Sequence, residues 1–175
     1  LESEQRYLVV MSRNVLFLLG VGAIGWALLC LFAGSIMPNW MGLAGAERGG
    51  LYIESIAVNV GLWSALGAFA LFGAAFQRLR LAAALAFIVC GSGFAGGRIL
   101  AMVQGAKPDA YTGLALALEV AIVVAASVAY ISEKTRVARE AREQKRAEKA
   151  ALEAALAAEH AELAKAPVPS PVQQP

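Results

Sequence analysis

Four long apolar runs dominate the pattern of hydrophobic and polar positions. They cover residues 15–37, 52–76, 81–103 and 111–132. A helix that crosses a bilayer needs roughly 20 mostly apolar residues, and each run is long enough. Residues 14–46 carry no charged side chain, and neither do residues 55–77. The first run stops at Pro38-Asn39, a turn signal. The second stops at the basic turn Gln77-Arg78-Leu79-Arg80, and the third at the polar loop Gln104 to Asp109 with its Gly and Pro. The fourth ends at Glu133-Lys134. The pattern predicts an all-α chain: a four-helix transmembrane bundle followed by a charged helix in the cytoplasm.

The segments between the runs fit this reading. Residues 38–51 are rich in glycine and form a loop, with Trp40 and Tyr52 where interfacial aromatics sit. The first run, 23 residues long, exceeds the roughly 7–15 residues of a cleavable signal core, so a retained helix is expected. Residues 1–14 form an N-terminal cytoplasmic segment, in which Met11 reads like a natural start. Residues 133–166 change character to Ala, Glu, Lys, Arg and Leu, all strong helix formers. Residues 167–175, PVPSPVQQP, are Pro-rich and expected to be disordered.

Composition sharpens the class. The chain is 59% hydrophobic and 16% charged, against about half and about a quarter in soluble domains. Lys and Arg near the helix ends set orientation. Arg6, Arg13, Arg78, Arg80, Lys134, Arg136, Arg139, Arg142, Lys145, Arg146 and Lys149 lie on one side, and Arg48 and Lys107 on the other. This asymmetry predicts a multi-pass protein of a bacterial inner (plasma) membrane, with both termini and the 77–80 turn facing the cytoplasm. In the tail, Arg139, Arg142, Arg146 and Lys149 share one helix face. They make either a solvated surface or a patch for anionic lipid headgroups or a partner protein. Leu152, Leu156 and Leu163 form a strip too short for a coiled coil.

The informative chemistry is charge inside the apolar runs. Arg98 lies about 9 Å inside the outer end of the third span, and Glu119 about 12 Å inside the same end of the fourth. A short loop joins these antiparallel spans, so the two residues should share one depth. Glu54 enters from the same face, and Asn59 and Gln104 could add hydrogen bonds. A lone charge there would cost about 2.5–3.5 kcal/mol on insertion scales, so pairing is expected. The Glu54, Arg98, Glu119 and Asn59 group is either a structural ion-pair cluster or a ligand-binding one.

No catalytic constellation accompanies it. Ser92 has no His or Lys partner, since the one histidine, His160, lies in the tail. Cys30 and Cys90 form no CxxC and lie at depths about 9 Å apart, too far for a disulfide. No metal, cofactor or nucleic-acid partner is expected. Gly93 and Gly97 form a GxxxG, and Ala57, Gly61, Ala65 and Ala68 recur at similar spacing, so close helix packing is expected there.

Gly97-Arg98-Ile99-Leu100, Gly105-Ala106-Lys107-Pro108 and Leu118-Glu119 together resemble a family of small four-helix bacterial membrane proteins of unknown function, loosely like the DoxX group. That group tends to carry a Gly-Arg pair late in the third helix, a Gly-x-Pro loop, a Glu in the fourth helix and an acid before a Gly-rich second helix. Glu54, followed by Gly61 and Gly67, stands in the last place. The loop here is one residue longer, and Ile56 occupies a position where the group suggests Arg. The resemblance spans residues 15–132 and implies that Glu54, Arg98 and Glu119 belong together. The functional expectation is a non-enzymatic accessory, subunit or scaffold module with a cytoplasmic interaction tail, in the lipid bilayer and within a larger complex or homo-oligomer. The alternative is a small carrier or ligand-binding protein that uses the Arg98 cluster.

Overall fold

A computed structural model of the chain describes residues 2–32 and 50–165. The last residues of the first expected span, the loop with Trp40 and Arg48, and the Pro-rich end lie outside them. The described residues are helical throughout apart from short connections. Helix α1 spans Glu2–Phe32. Helix α2 is built of three continuous pieces: Gly50–Ile56, a π-helical stretch Ala57–Leu62, and Trp63–Ala75. Helix α3 spans Arg80–Val103 and α4 spans Ala110–Lys165. Among the described residues, four helices are long and apolar enough to cross a membrane: Val9–Phe32, Ile53–Ala75, Gln77–Val103 and Ala110–Ala157.

The chain divides into two compact units, Leu1–Arg136 and Val137–Pro175. In the first, neighbouring helices run antiparallel. Gly20 of α1 faces Gly67 of α2, Gly73 of α2 faces Ala83 of α3, and Gly91 of α3 faces Val123 of α4. Helix α4 returns to α1 through Leu16 and Ala129, which share a buried cluster. The four segments thus close an up-down-up-down ring.

The core is made of small side chains. Ala23, Ala27, Ala70, Ala74, Ala83, Ala84, Ala126 and Ala129 are buried, with Leu16, Leu66 and Phe87 the large exceptions. The bulky residues point outward: Phe17, Val21, Phe32, Phe72, Val89, Leu100, Val120, Val124 and Ile131 are all exposed. In water such a surface is an aggregation liability. Against acyl chains it costs nothing, and the small interior lets backbones approach. The pattern is that of helices packed within lipid.

The closest backbone approach is between α1 and α2. A Cβ built on Gly20 would lie 2.9 Å from the Gly67 carbonyl oxygen, and one on Gly67 would lie 2.9 Å from the Gly20 oxygen. Any side chain at either position forces the helices apart. The expected packing at Gly93, Gly97 and Gly61 is not what the structure uses. A Cβ at each would meet nothing within 4 Å among the described residues, and all three are exposed. Glycine is frequent enough here for a GxxxG spacing to fall on an outer face.

Two connections fix the ends. The α2–α3 turn is a 3-10 turn, Gln77–Leu79, after extended Phe76. The α3–α4 turn begins with the Ala106 amide donating to the Ala101 carbonyl and the Gly105 amide to Met102. Gly105 has φ 98°, the left-handed conformation that ends helices in this way and favours glycine. Asp109 then starts α4: its carboxylate accepts from the Thr112 hydroxyl at 2.6 Å and the Thr112 amide at 2.7 Å. These bonds, the hydroxyl's first, hold the Asp109 carboxyl below its usual range.

Candidate functional site: a cavity with a buried Arg–Glu pair

The antiparallel α3–α4 hairpin brings Arg98 and Glu119 together. Arg98 Nε donates to Glu119 Oε1 at 2.9 Å. The Glu119 side chain is 6% exposed and that of Arg98 28%. The Arg98 guanidinium also lies over the Tyr111 ring, 5.6 Å from its centroid, a favourable cation–π distance. Charge inside an apolar helix is tolerated because each group finds a partner one helix away.

The pair borders a cavity of about 620 Å³, within the usual range for small-molecule sites. All four helices contribute. Helix α1 supplies Leu19, Ala23 and Trp26, α2 supplies Ser55, Val58, Asn59 and Trp63, α3 supplies Phe87 and Phe94, and α4 supplies Ala115 and Ile122. Trp63 stacks on Phe94 with ring centroids 5.7 Å apart. Leu18, Gly22 and Leu118 line the cavity yet are exposed, Leu18 at 68%. The cavity therefore opens between α1 and α4, through residues that would face acyl chains.

Asn59 is buried in the π-helical stretch. Its Oδ1 accepts from the Trp26 indole Nε1 at 3.2 Å, and its Nδ2 donates to the Ser55 carbonyl at 3.0 Å. Single π turns recur at functional sites. Here the turn places Asn59 against Trp26 and not against Arg98. Glu54 lines the exposed rim of the cavity and makes no ion pair with Arg98 among the described residues. Of the four residues expected to group together, the structure pairs two and sets the others on the same cavity wall.

Glu119 Oε2 is buried and has no hydrogen-bond partner among the described residues. A buried acceptor without a donor costs about 1–3 kcal/mol, more when charged. The oxygen is thus poised to accept a hydrogen bond from something else. The charged lining residues are Arg98, Glu119 and Glu54, so the wall carries no net positive charge.

No family model, curated protein or solved structure matches the chain.

A second polar cluster closes the opposite end of the bundle. Glu133 is 1% exposed. Its Oε1 accepts from Arg136 Nη2 at 2.6 Å, and its Oε2 accepts from Arg136 Nε and from the Ser12 hydroxyl, both at 3.2 Å. Arg80 lies 3.9 Å from Glu133 Oε2 and is 6% exposed. Sequence position alone puts these residues on the solvated border of the membrane and at the start of the tail. The available signal is an acid among bases at a span edge, with Arg136 three residues on and Ser12 and Arg80 at the same depth.

Further along, Arg142, Arg146 and Lys149 are exposed, Arg139 is half-buried, and Lys149 pairs with Glu153 at 3.6 Å. Cys30 and Cys90 are free thiols. Among the described residues no group of His, Cys, Asp and Glu could hold a metal.

Proposed function

We propose that residues up to Arg136 form a membrane binding protein for an apolar molecule with a neutral polar head. The observation that carries this is Glu119 Oε2, a buried acceptor without a donor on the wall of an otherwise apolar cavity. A hydroxyl would donate to that oxygen and accept from the Arg98 guanidinium. An anion would meet two carboxylates and one guanidinium already bonded, so the charge balance disfavours it. The opening between α1 and α4 supports loading from the acyl-chain layer, as in a small carrier. The likeness to the DoxX-like group rests on the same Gly97-Arg98 and Leu118-Glu119 residues.

Tryptophan fluorescence tests the reading directly. Trp26 and Trp63 border the cavity, and Trp40→Phe removes the third indole. A long-chain alcohol carrying bromine as quencher should quench saturably. The brominated alkane and carboxylate of equal length should quench only in proportion to their concentration in the micelle. Glu119→Gln should weaken alcohol binding about tenfold, the equivalent of roughly 1.4 kcal/mol and of one hydrogen bond to a charged group. Equal quenching by all three probes would sink the proposal.

The basic asymmetry supports a bacterial inner membrane, with the Ser12 end cytoplasmic and the Gly105 end outside. Lys107→Cys, in a chain with Cys30→Ala and Cys90→Ala, should react with an impermeant maleimide in intact cells. Reaction only after the cells are opened would reverse the orientation.

A further inference from the structure

The cluster at the Ser12 end is satisfied on one side and not on the other. Glu133 is engaged by Arg136 through two nitrogens and by Ser12. Arg136 is engaged in turn by Glu133 and, with the Gln77 amide in its satisfying orientation, by the Gln77 carbonyl oxygen. Arg80 is left over. It is buried, its nearest carboxylate oxygen stands at 3.9 Å, and its Nε and Nη1 have no acceptor among the described residues. Arg13, exposed on α1, adds a further positive charge that acts on Arg80. Arg136 and Arg80 thus share one carboxylate, and Arg136 holds the hydrogen bonds to it. A buried cation without a hydrogen-bonded counter-charge is strongly unfavourable.

We infer that Arg80 is a binding site for a phosphate-bearing anion. The unmet Nε–H and Nη1–H donors lie on different edges of the guanidinium, and each would donate to an anionic oxygen, for which phosphate is a favoured arginine partner. The location agrees, because Arg80 lies near the start of the span Gln77–Val103, at an end of the bundle. Phospholipid phosphates lie at that depth. The anion's source is therefore an anionic phospholipid headgroup or free phosphate. This site is separate from the cavity and does not depend on what the cavity holds.

The test compares wild type, Arg80→Gln and Arg13→Gln by thermal unfolding in three settings. These are phosphatidylcholine nanodiscs, nanodiscs that also contain phosphatidylglycerol, and detergent with and without inorganic phosphate. Phosphatidylglycerol should raise the wild-type Tm by about 2–4 °C, the shift that one modest interaction gives a chain of this size. Arg80→Gln should show no rise. Arg13→Gln, an exposed change that leaves the core intact, should show a smaller one. In phosphate-free detergent Arg80→Gln should be at least as stable as wild type, since it removes an unsatisfied charge. An Arg80-dependent rise with inorganic phosphate in detergent identifies free phosphate as the source. A rise with phosphatidylglycerol alone identifies the lipid. No Arg80-dependent rise in any setting, or an Arg80→Gln chain less stable than wild type in phosphate-free detergent, overturns the inference.

Discussion

Glu133→Ala should be among the most destabilising single substitutions in the chain, at about 3–5 kcal/mol. The carboxylate accepts two hydrogen bonds from Arg136 and one from Ser12, at 1% exposure. Without it, two buried guanidiniums, Arg80 and Arg136, face each other with no acid between them. The Ser12 hydroxyl would keep its local bond to the Val9 carbonyl, so the serine adds little to the loss. Equilibrium unfolding in mixed detergent micelles measures the effect. Glu133→Gln should fall between, since the amide retains shape and one acceptor oxygen but no charge. A loss below about 1 kcal/mol for Glu133→Ala would match an exposed surface pair and would mean that Glu133 is solvated.

Arg98 and Glu119 should behave as a coupled pair. Arg98→Ala strands a carboxylate that is already short of one donor, and Glu119→Ala leaves a guanidinium that stands over the Tyr111 ring without its hydrogen-bonded acid. Each single change should cost about 3–5 kcal/mol. The double change removes both charges and should recover a large part, because apolar replacements of buried pairs are often near neutral. A coupling energy of about 1–3 kcal/mol from the double-mutant cycle is the expected readout. Strict additivity would show that the 2.9 Å contact does not couple the two residues. The same three variants separate structure from binding. If the double variant regains stability but is no longer quenched by the brominated alcohol, the pair serves the cavity and not only the fold.

The sequence carried the helix pattern because bilayer thickness makes apolar run length readable. It carried the Arg98–Glu119 pair for a related reason. Charges within apolar runs are few, and a short antiparallel loop converts their spacing into depth. The cluster at the other end was hidden because Arg80, Glu133 and Arg136 sit among many other charges at a span border. There, composition alone cannot separate a buried arginine from a solvated one. Packing faces were hidden too. The glycines in contact are Gly20, Gly67, Gly73 and Gly91, whereas Gly93 and Gly97 face outward. In a chain this rich in small residues, spacing does not select a face. The cavity depends on the π turn around Asn59 and on which side chains stop short of the centre, and neither follows from periodicity.

The two polar clusters also restrict how the helices can move. Helix α4 is tied to α3 at Glu119 and to α1 at Glu133, about 21 Å apart along its axis at 1.5 Å per residue. A piston stroke of α4 by one helical turn, about 5.4 Å, would break both inter-helix bonds at once, Arg98 to Glu119 and Ser12 to Glu133. Neither tie offers an equivalent partner one turn away. On α3 the residues four before and four after Arg98 are Phe94 and Met102, and on α1 Leu16 follows Ser12 by four. Sliding is therefore costly, while small rotations about the α4 axis and tilts that widen its seam with α1 leave the ties intact. Gating of the opening beside Leu18 and Leu118 would then proceed by tilt, with the depth of every helix held fixed.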